Sequence, residues 1–392
     1  MSHFDHDDLP SNLSDNEHFQ HIVDRTVSRR GFLKSGLGLG ATAFLAAPLA
    51  AFAGNGYSHI GDRGPRLQMK PPRIGFTPVA TSSADTVVVP EGYRAQVFAR
   101  WGDALFADSP AWRPDGSNSG EDQGRQIGDN HDGMHFFPLH GKSSTEGLLV
   151  MNHEYTNYEY LFGAEFTSPW TADKVLKAQN AHGVSVLHVR RQAGKWDVVR
   201  NSKYNRRITG NTPMQLSGPA AGHALLRTKA DPNGMRVLGT LNNCANGITP
   251  WGTYLTCEEN FNGYFGTTSG ADGRDEAMRR YGISARGTSY RWEEFDDRFD
   301  YAKEPNESNR FGWVVEIDPY DPQATPVKRT ALGRFKHENA AYAFARDRRV
   351  VVYMGDDQAN DYIYKFVSEQ RFIPGQEASN RRLLDHGRLY VA

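Results

Sequence analysis

The stretch Leu241–Phe265, LNNCANGITPWGTYLTCEENFNGYF, holds both cysteines of the chain, two adjacent glutamates and an Asn/Gly/Pro cluster between apolar runs. Arg236 to Asn243 alternates apolar and polar as a strand does, Ala245 to Gly252 carries turn residues, and Thr253 to Cys257 alternates again. The pattern predicts a β-hairpin in which Cys244 leaves one strand where Glu258 and Glu259 leave its neighbour. Burying a thiolate beside carboxylates is costly unless a cation or hydrogen-bond donors offset the charge. The hairpin therefore reads as a candidate cation site.

Two other segments repeat its order of elements. One runs from Asp129-Asn130-His131-Asp132-Gly133, through Gly147–Asn152 and His153-Glu154-Tyr155, to the apolar run Gly183–Arg190. The other runs from Phe335-Lys336-His337-Glu338-Asn339, through Arg349–Met354 and Gly355-Asp356-Asp357, to Asp361–Val367. The hairpin unit is completed after an insertion by Phe311–Asp318, FGWVVEID. Each unit has a first strand with a polar or thiol ligand, a second ending in acid and an outer apolar strand. The ligand-to-acid pairs are Asp132 with Glu154, Cys244 with Glu259, and Glu338 with Asp357. An all-β propeller would converge such strand ends on one axis, whereas a β-sandwich would leave them facing water. Two insertions interrupt the pattern. Tyr158–Asn180 contains a predicted short helix after Thr171, and Thr267–Asn309, charged and poor in apolar positions, reads as a surface excursion.

The composition excludes several classes. Across 392 residues, 45 Lys/Arg balance 46 Asp/Glu for a net charge of −1, which leaves no basic field for nucleic acid. With 39 glycines and 20 prolines the chain is turn-rich, as β proteins are. At the start, Ser28-Arg29-Arg30-Gly31-Phe32-Leu33-Lys34 precedes a short Gly/Ala-rich apolar run and Ala51-Phe52-Ala53. This is the form of a twin-arginine signal with an A-x-A cleavage site, and the run is too short and too weakly apolar for a stable membrane span. Residues 1–53 are thus expected to be a signal read by the twin-arginine export machinery, with one domain over 54–392 and a periplasmic or extracellular destination. At the other end, Leu383–Ala392 rises into an alternating strand and stops, which predicts an incomplete propeller.

Neighbouring side chains on a strand face opposite ways, so His153 and Glu154 cannot both address one site, nor can His337 and Glu338. The glutamates are expected at the site and the histidines in packing. His131 and His135 read as hydrogen-bonded loop residues. Several carboxylates with one sulfur suit calcium together with a thiolate-accepting metal such as iron, and no CxxC or HExxH spacing points to zinc. Cys244 and Cys257 stand opposite one another in the predicted hairpin, so a disulfide is the competing reading. No G-x-S-x-G, Walker A or dinucleotide motif occurs.

The twin-arginine start, MNHEYTN at 151–157, NNCANGITPWGTYLTCEENFNGYF at 242–265, NRFGWVVEIDP at 309–319, KHENAA and GDD together resemble the PhoX-type alkaline phosphatases along nearly the whole chain. The resemblance implies a six-bladed propeller, export, and a mixed iron and calcium cluster that hydrolyses phosphomonoesters. By motif it implies Cys244 as the iron thiolate and Glu259, Glu338 and Asp357 as cluster ligands, with Glu154 and Glu258 as further candidates. Family members run longer, so further ligands and phosphate-holding basic residues are expected beyond the point that matches Ala392. A calcium-dependent propeller hydrolase of lactones or phosphodiesters and a non-catalytic exported binding propeller are the alternatives.

Overall fold

The computed structural model describes residues 77–392, and the expected export signal lies outside them. The chain divides into two units, Met1–Ala95 and Gln96–Ala392. In the first, the described residues from Thr77 onward form turns without a regular strand or helix. The second is mostly β, with short helices.

Gln96–Ala392 builds three sheets. In the first, β1 (His131–Pro138), β2 (Glu146–His153), β3 (Gly183–Gln192) and β4 (Lys195–Val198) follow one another antiparallel, and β5 (Arg206–Ile208) pairs with the free stretch of β3. The second contains β6 (Pro213–Ser217), β7 (Arg236–Leu238), β8 (Asn243–Ile248), β9 (Tyr254–Glu258), β10 (Val314–Ile317) and β11 (Val327–Arg329) in the order β7-β6-β11-β10-β9-β8. Here β6 and β11 pair in parallel while every other pair is antiparallel. The third is β12 (Ala341–Phe344), β13 (Arg349–Gly355), β14 (Ile363–Arg371) and β15 (Gly387–Val391), a plain antiparallel meander. The three sheets do not close on one another.

The repeat seen in the sequence is present as the succession β1-β2-β3, β8-β9-β10 and the segment before β12 with β13-β14. The first strands lie side by side, with β1 and β12 both against β8. That approach depends on Gly247 in β8, where a Cβ would stand 1.8 Å from the carbonyl oxygen of Ala340. No larger residue fits without moving one backbone.

Three expectations are corrected. Arg236–Asn243 is not one strand. Gly239 turns at φ +88°, so β7 joins β6 and β8 begins afresh at Asn243. The hairpin turn is tighter than Ala245–Gly252, since Thr249 and Thr253 close it through Thr249 N–H to Thr253 O at 2.9 Å and a hydroxyl pair at 2.7 Å. Most consequentially, Thr267–Asn309 is no surface excursion. Met278, Ile283, Trp292, Phe299 and Tyr301 from this segment are buried in the main core beside Phe261, Tyr264 and Phe265. Aromatic stacking replaces periodicity there: Tyr264 lies on Tyr290 at 4.3 Å, and Trp292 meets Phe299 edge-on at 4.9 Å. The helix expected after Thr171 is α1 (Ala172–Ala181), capped by the Thr171 hydroxyl, which accepts from Lys174 N–H at 3.2 Å. Among the described residues no helix is long and apolar enough to cross a membrane.

Candidate metal centre

Five carboxyl groups and one thiol gather at the ends of β1 and β2, of β8 and β9, and of the segment before β12 and β13. Asp132 sits in β1, Glu154 follows β2, Cys244 sits in β8, Glu259 follows β9, Glu338 lies on the extended segment before β12 and Asp357 follows β13. The register of β8 against β9 slips between Asn243 and Asn246, a bulge that turns Cys244 inward. Ligand atoms of Asp132, Glu154 and Cys244 all lie within 4.8 Å of one another, as do those of Cys244, Glu259 and Glu338, so one sulfur joins two adjacent groups. Cys244 Sγ is 3.6 Å from Glu338 Oε2. Glu154 hydrogen-bonds Asp132 and Glu259, and Glu259 bonds Asp357, which ties the last acid to the rest.

The electrostatics are those of crowded, partly desolvated acids. Burial, then the charges of Asp132 and Glu338, raises Glu154 to about 7. Burial, the hydrogen bond to Asp357 and the charge of Glu338 raise Glu259 to about 8. Glu338 is raised by burial and by Asp357. Burial and its bond to Asp132 push the Cys244 thiol up. Without a counter-charge these groups share protons, and a polycation would replace the protons with ligand bonds. Six oxygen-bearing and sulfur donors from six chain positions fit a metal cluster, with the thiol as its soft ligand.

The backbone holds the set at fixed spacing. Ala245 N–H donates to Glu338 O at 3.1 Å and Asp357 N–H to Lys336 O at 3.0 Å. Glu259 N–H donates to Asn242 O at 3.0 Å, while Asn260 Nδ2 holds Glu259 Oε1 at 2.6 Å. Asn152, fully buried, donates to the carbonyls of Cys244 and Ala245 at 2.5 and 3.1 Å and so pins the bulge from the neighbouring sheet.

The histidines face away from the acids, as strand alternation requires. His153 bonds Ser185 Oγ at 2.7 Å and His337 bonds Gly333 O at 3.0 Å, both fully buried. His131 and His135 lie in β1, not in a loop, with His131 Nε2 3.0 Å from Gly128 O. Glu258 is a correction to the expected ligand set. It points to the opposite side from Glu259, accepting from Lys328 Nζ at 2.7 Å, Gly312 N–H at 3.0 Å and Trp313 N–H at 3.1 Å, with both charged side chains fully buried. Its charge is already compensated. The two cysteines are free thiols. Cys257 is packed among Leu255, Val314 and Phe335, so the disulfide reading does not hold. Asp132, noted in the repeat but outside the expected ligands, stands within the cluster. The pairing of each first-strand ligand with its second-strand acid is the signal that includes it.

A family model described as Alkaline phosphatase PhoX matches residues 74–392. No curated protein matches the chain. Among solved structures, Pseudomonas fluorescens PhoX in complex with vanadate, a transition state analogue, is similar at 52% identity with a TM-score of 0.78. The match covers 81% of this chain and 54% of that one, so the chain spans about half the length of this relative. The family match takes in every strand that carries the acids, and the chain belongs to the PhoX alkaline phosphatase family.

Proposed function

We propose that this chain acts in the hydrolysis of phosphomonoesters at a mixed iron and calcium centre, in a protein exported by the twin-arginine route. The observation that supports this reading is the gathering of Cys244 with five carboxyl groups from three sheets. In this reading Cys244 is the iron thiolate, and Asp132, Glu154, Glu259, Glu338 and Asp357 hold calcium and the remaining iron positions. The three sheets are blades of a propeller whose inner strand ends meet at the site. When bound, such cations supply Lewis-acid polarisation of the phosphoryl oxygens, whose charge rises in the transition state. The relative's vanadate, named as a transition state analogue, is consistent with that chemistry.

The chain's own residues then have definable tasks. Asn260 orients Glu259, Asn152 holds the bulge that presents Cys244, and the His337 N–H bond to Glu258 O at 3.0 Å sets the spacing between the Glu259 and Glu338 segments. The test is reconstitution of the purified chain with iron and calcium, followed by metal analysis and assay on a chromogenic phosphomonoester. Phosphate release that chelation abolishes and calcium restores is expected. Release indifferent to chelation, or a panel in which lactones or phosphodiesters turn over faster, overturns the reading.

A further inference from the structure

The cluster is acidic throughout, while a phosphomonoester arrives as an anion, so one rim of the site should carry a cation with free donors. The neighbouring basic groups are committed elsewhere. Lys328 is bound to Glu258, and Arg280 clamps Asp361 through two contacts at 2.8 and 2.7 Å. Arg334 lies over the rings of Phe261 and Tyr281 and donates to the carbonyls of Phe311 and Ser308. Lys336 differs. Its side chain makes no hydrogen bond or ion pair among the described residues, yet it is half-buried. The local backbone says where it faces. Phe335 and His337 stack at 3.7 Å, so odd positions share one side, and Lys336 shares the other with Glu338. Its ammonium lies within electrostatic reach of Asp356, Glu259 and Asp357, while its carbonyl accepts the Asp357 N–H at 3.0 Å.

We propose that Lys336 is a substrate-binding residue that contacts a phosphoryl oxygen of an ester held at the acid cluster, which rests on the phosphatase reading above. A lysine that feels three carboxylates and closes on none of them keeps its three donors unspent for an incoming oxyanion. The same placement makes an opposite-signed demand on cations. The ammonium repels calcium at the cluster while attracting phosphate.

That pair of signs supplies the test, made by isothermal titration on the 392-residue chain with calcium alone and then with inorganic phosphate on the calcium-loaded protein. Lys336→Met is expected to weaken phosphate binding about tenfold, the scale of one charge-assisted hydrogen bond, while calcium binds as well or tighter. Lys336→Arg recovers part of the phosphate affinity. Loss of both affinities marks a structural role and overturns the assignment, as does phosphate binding that ignores Lys336→Met. A calcium-loaded parent that takes up no phosphate overturns the phosphatase reading along with it.

Discussion

Glu258 and Glu259 are identical neighbours with opposite environments, and the difference is one step of strand alternation. Glu259 meets other acids; Glu258 meets a buried ammonium and two backbone N–H groups. Substitution should separate them. Glu259→Gln removes like-charge repulsion, so the metal-free protein is expected to keep or gain up to about 1 kcal/mol, while calcium affinity falls about 10- to 100-fold, a change of the size that lost metal-site contacts bring. Lys328→Met strands a buried carboxylate and is expected to cost about 3–5 kcal/mol. Urea denaturation in chelator, set beside calcium titration, reads both. His182 gives the residue-scale pH dependence. Burial lowers it to about 4 while its ring bonds Ala178 O and Tyr264 OH. The unfolded chain protonates it near 6.5, so its contribution is full above that pH and is lost as pH falls towards 4, about 3 kcal/mol in all. A His182→Gln variant should show a shallower loss of melting temperature between pH 6.5 and 4. At this scale the alternation rule makes the His153/Glu154 and His337/Glu338 choices legible. It applies equally to Glu258, but the deciding partner, Lys328, lies 70 positions away with no local pattern linking them.

At the scale of elements, the strands with clear alternation or apolar runs were readable, among them β2, β3, β9, β10 and β13. The hairpin is legible on its β9 side. Its β8 side was obscured because Gly239 breaks what reads as a continuous alternation, and the reason is a backbone turn that composition does not mark. The 267–309 segment shows no period because its apolar residues sit on short 3₁₀ turns, loops and one five-residue helix, Glu276–Arg280, too short for a 3.6-residue repeat to register. Trp292, fully buried against Tyr264 and Phe299, should therefore behave as core, with Trp292→Ala costing about 3–5 kcal/mol in chemical denaturation. A surface excursion would lose almost nothing. Gly247→Ala tests the approach of β8 and β12. Its methyl would meet the Ala340 carbonyl, so a loss of about 3 kcal/mol is expected. Calcium affinity should fall with it, because Cys244 and Glu338 flank that contact.

At the scale of the molecule, the fold brings charges of one sign together and leaves their repulsion for a ligand to relieve. Calcium that binds only the folded chain adds about 2.7 kcal/mol for a site at a hundred-fold excess over Kd. The melting temperature should rise with calcium and fall on chelation, and the Glu154→Gln/Glu259→Gln double variant should lose most of that rise. Thermal melts at graded calcium concentrations measure it. The mainly β architecture and the convergence of strand ends were both apparent from the three-fold recurrence of ligand and acid. Which sheet each strand joins was not, since β6 and β7 share the sheet of β8 without sharing its pattern.

The parallel pairing of β6 with β11 carries a consequence for biosynthesis. Ser217 and Lys328, which meet across that pairing, are 111 positions apart, so β6 emerges from the ribosome long before its neighbour exists. At roughly 5–20 residues per second the earlier strand waits on the order of 10 s with a bare edge. The middle sheet thus completes late, by closure over a long loop, and newly made chains should stay sensitive to protease until Arg329 is synthesised.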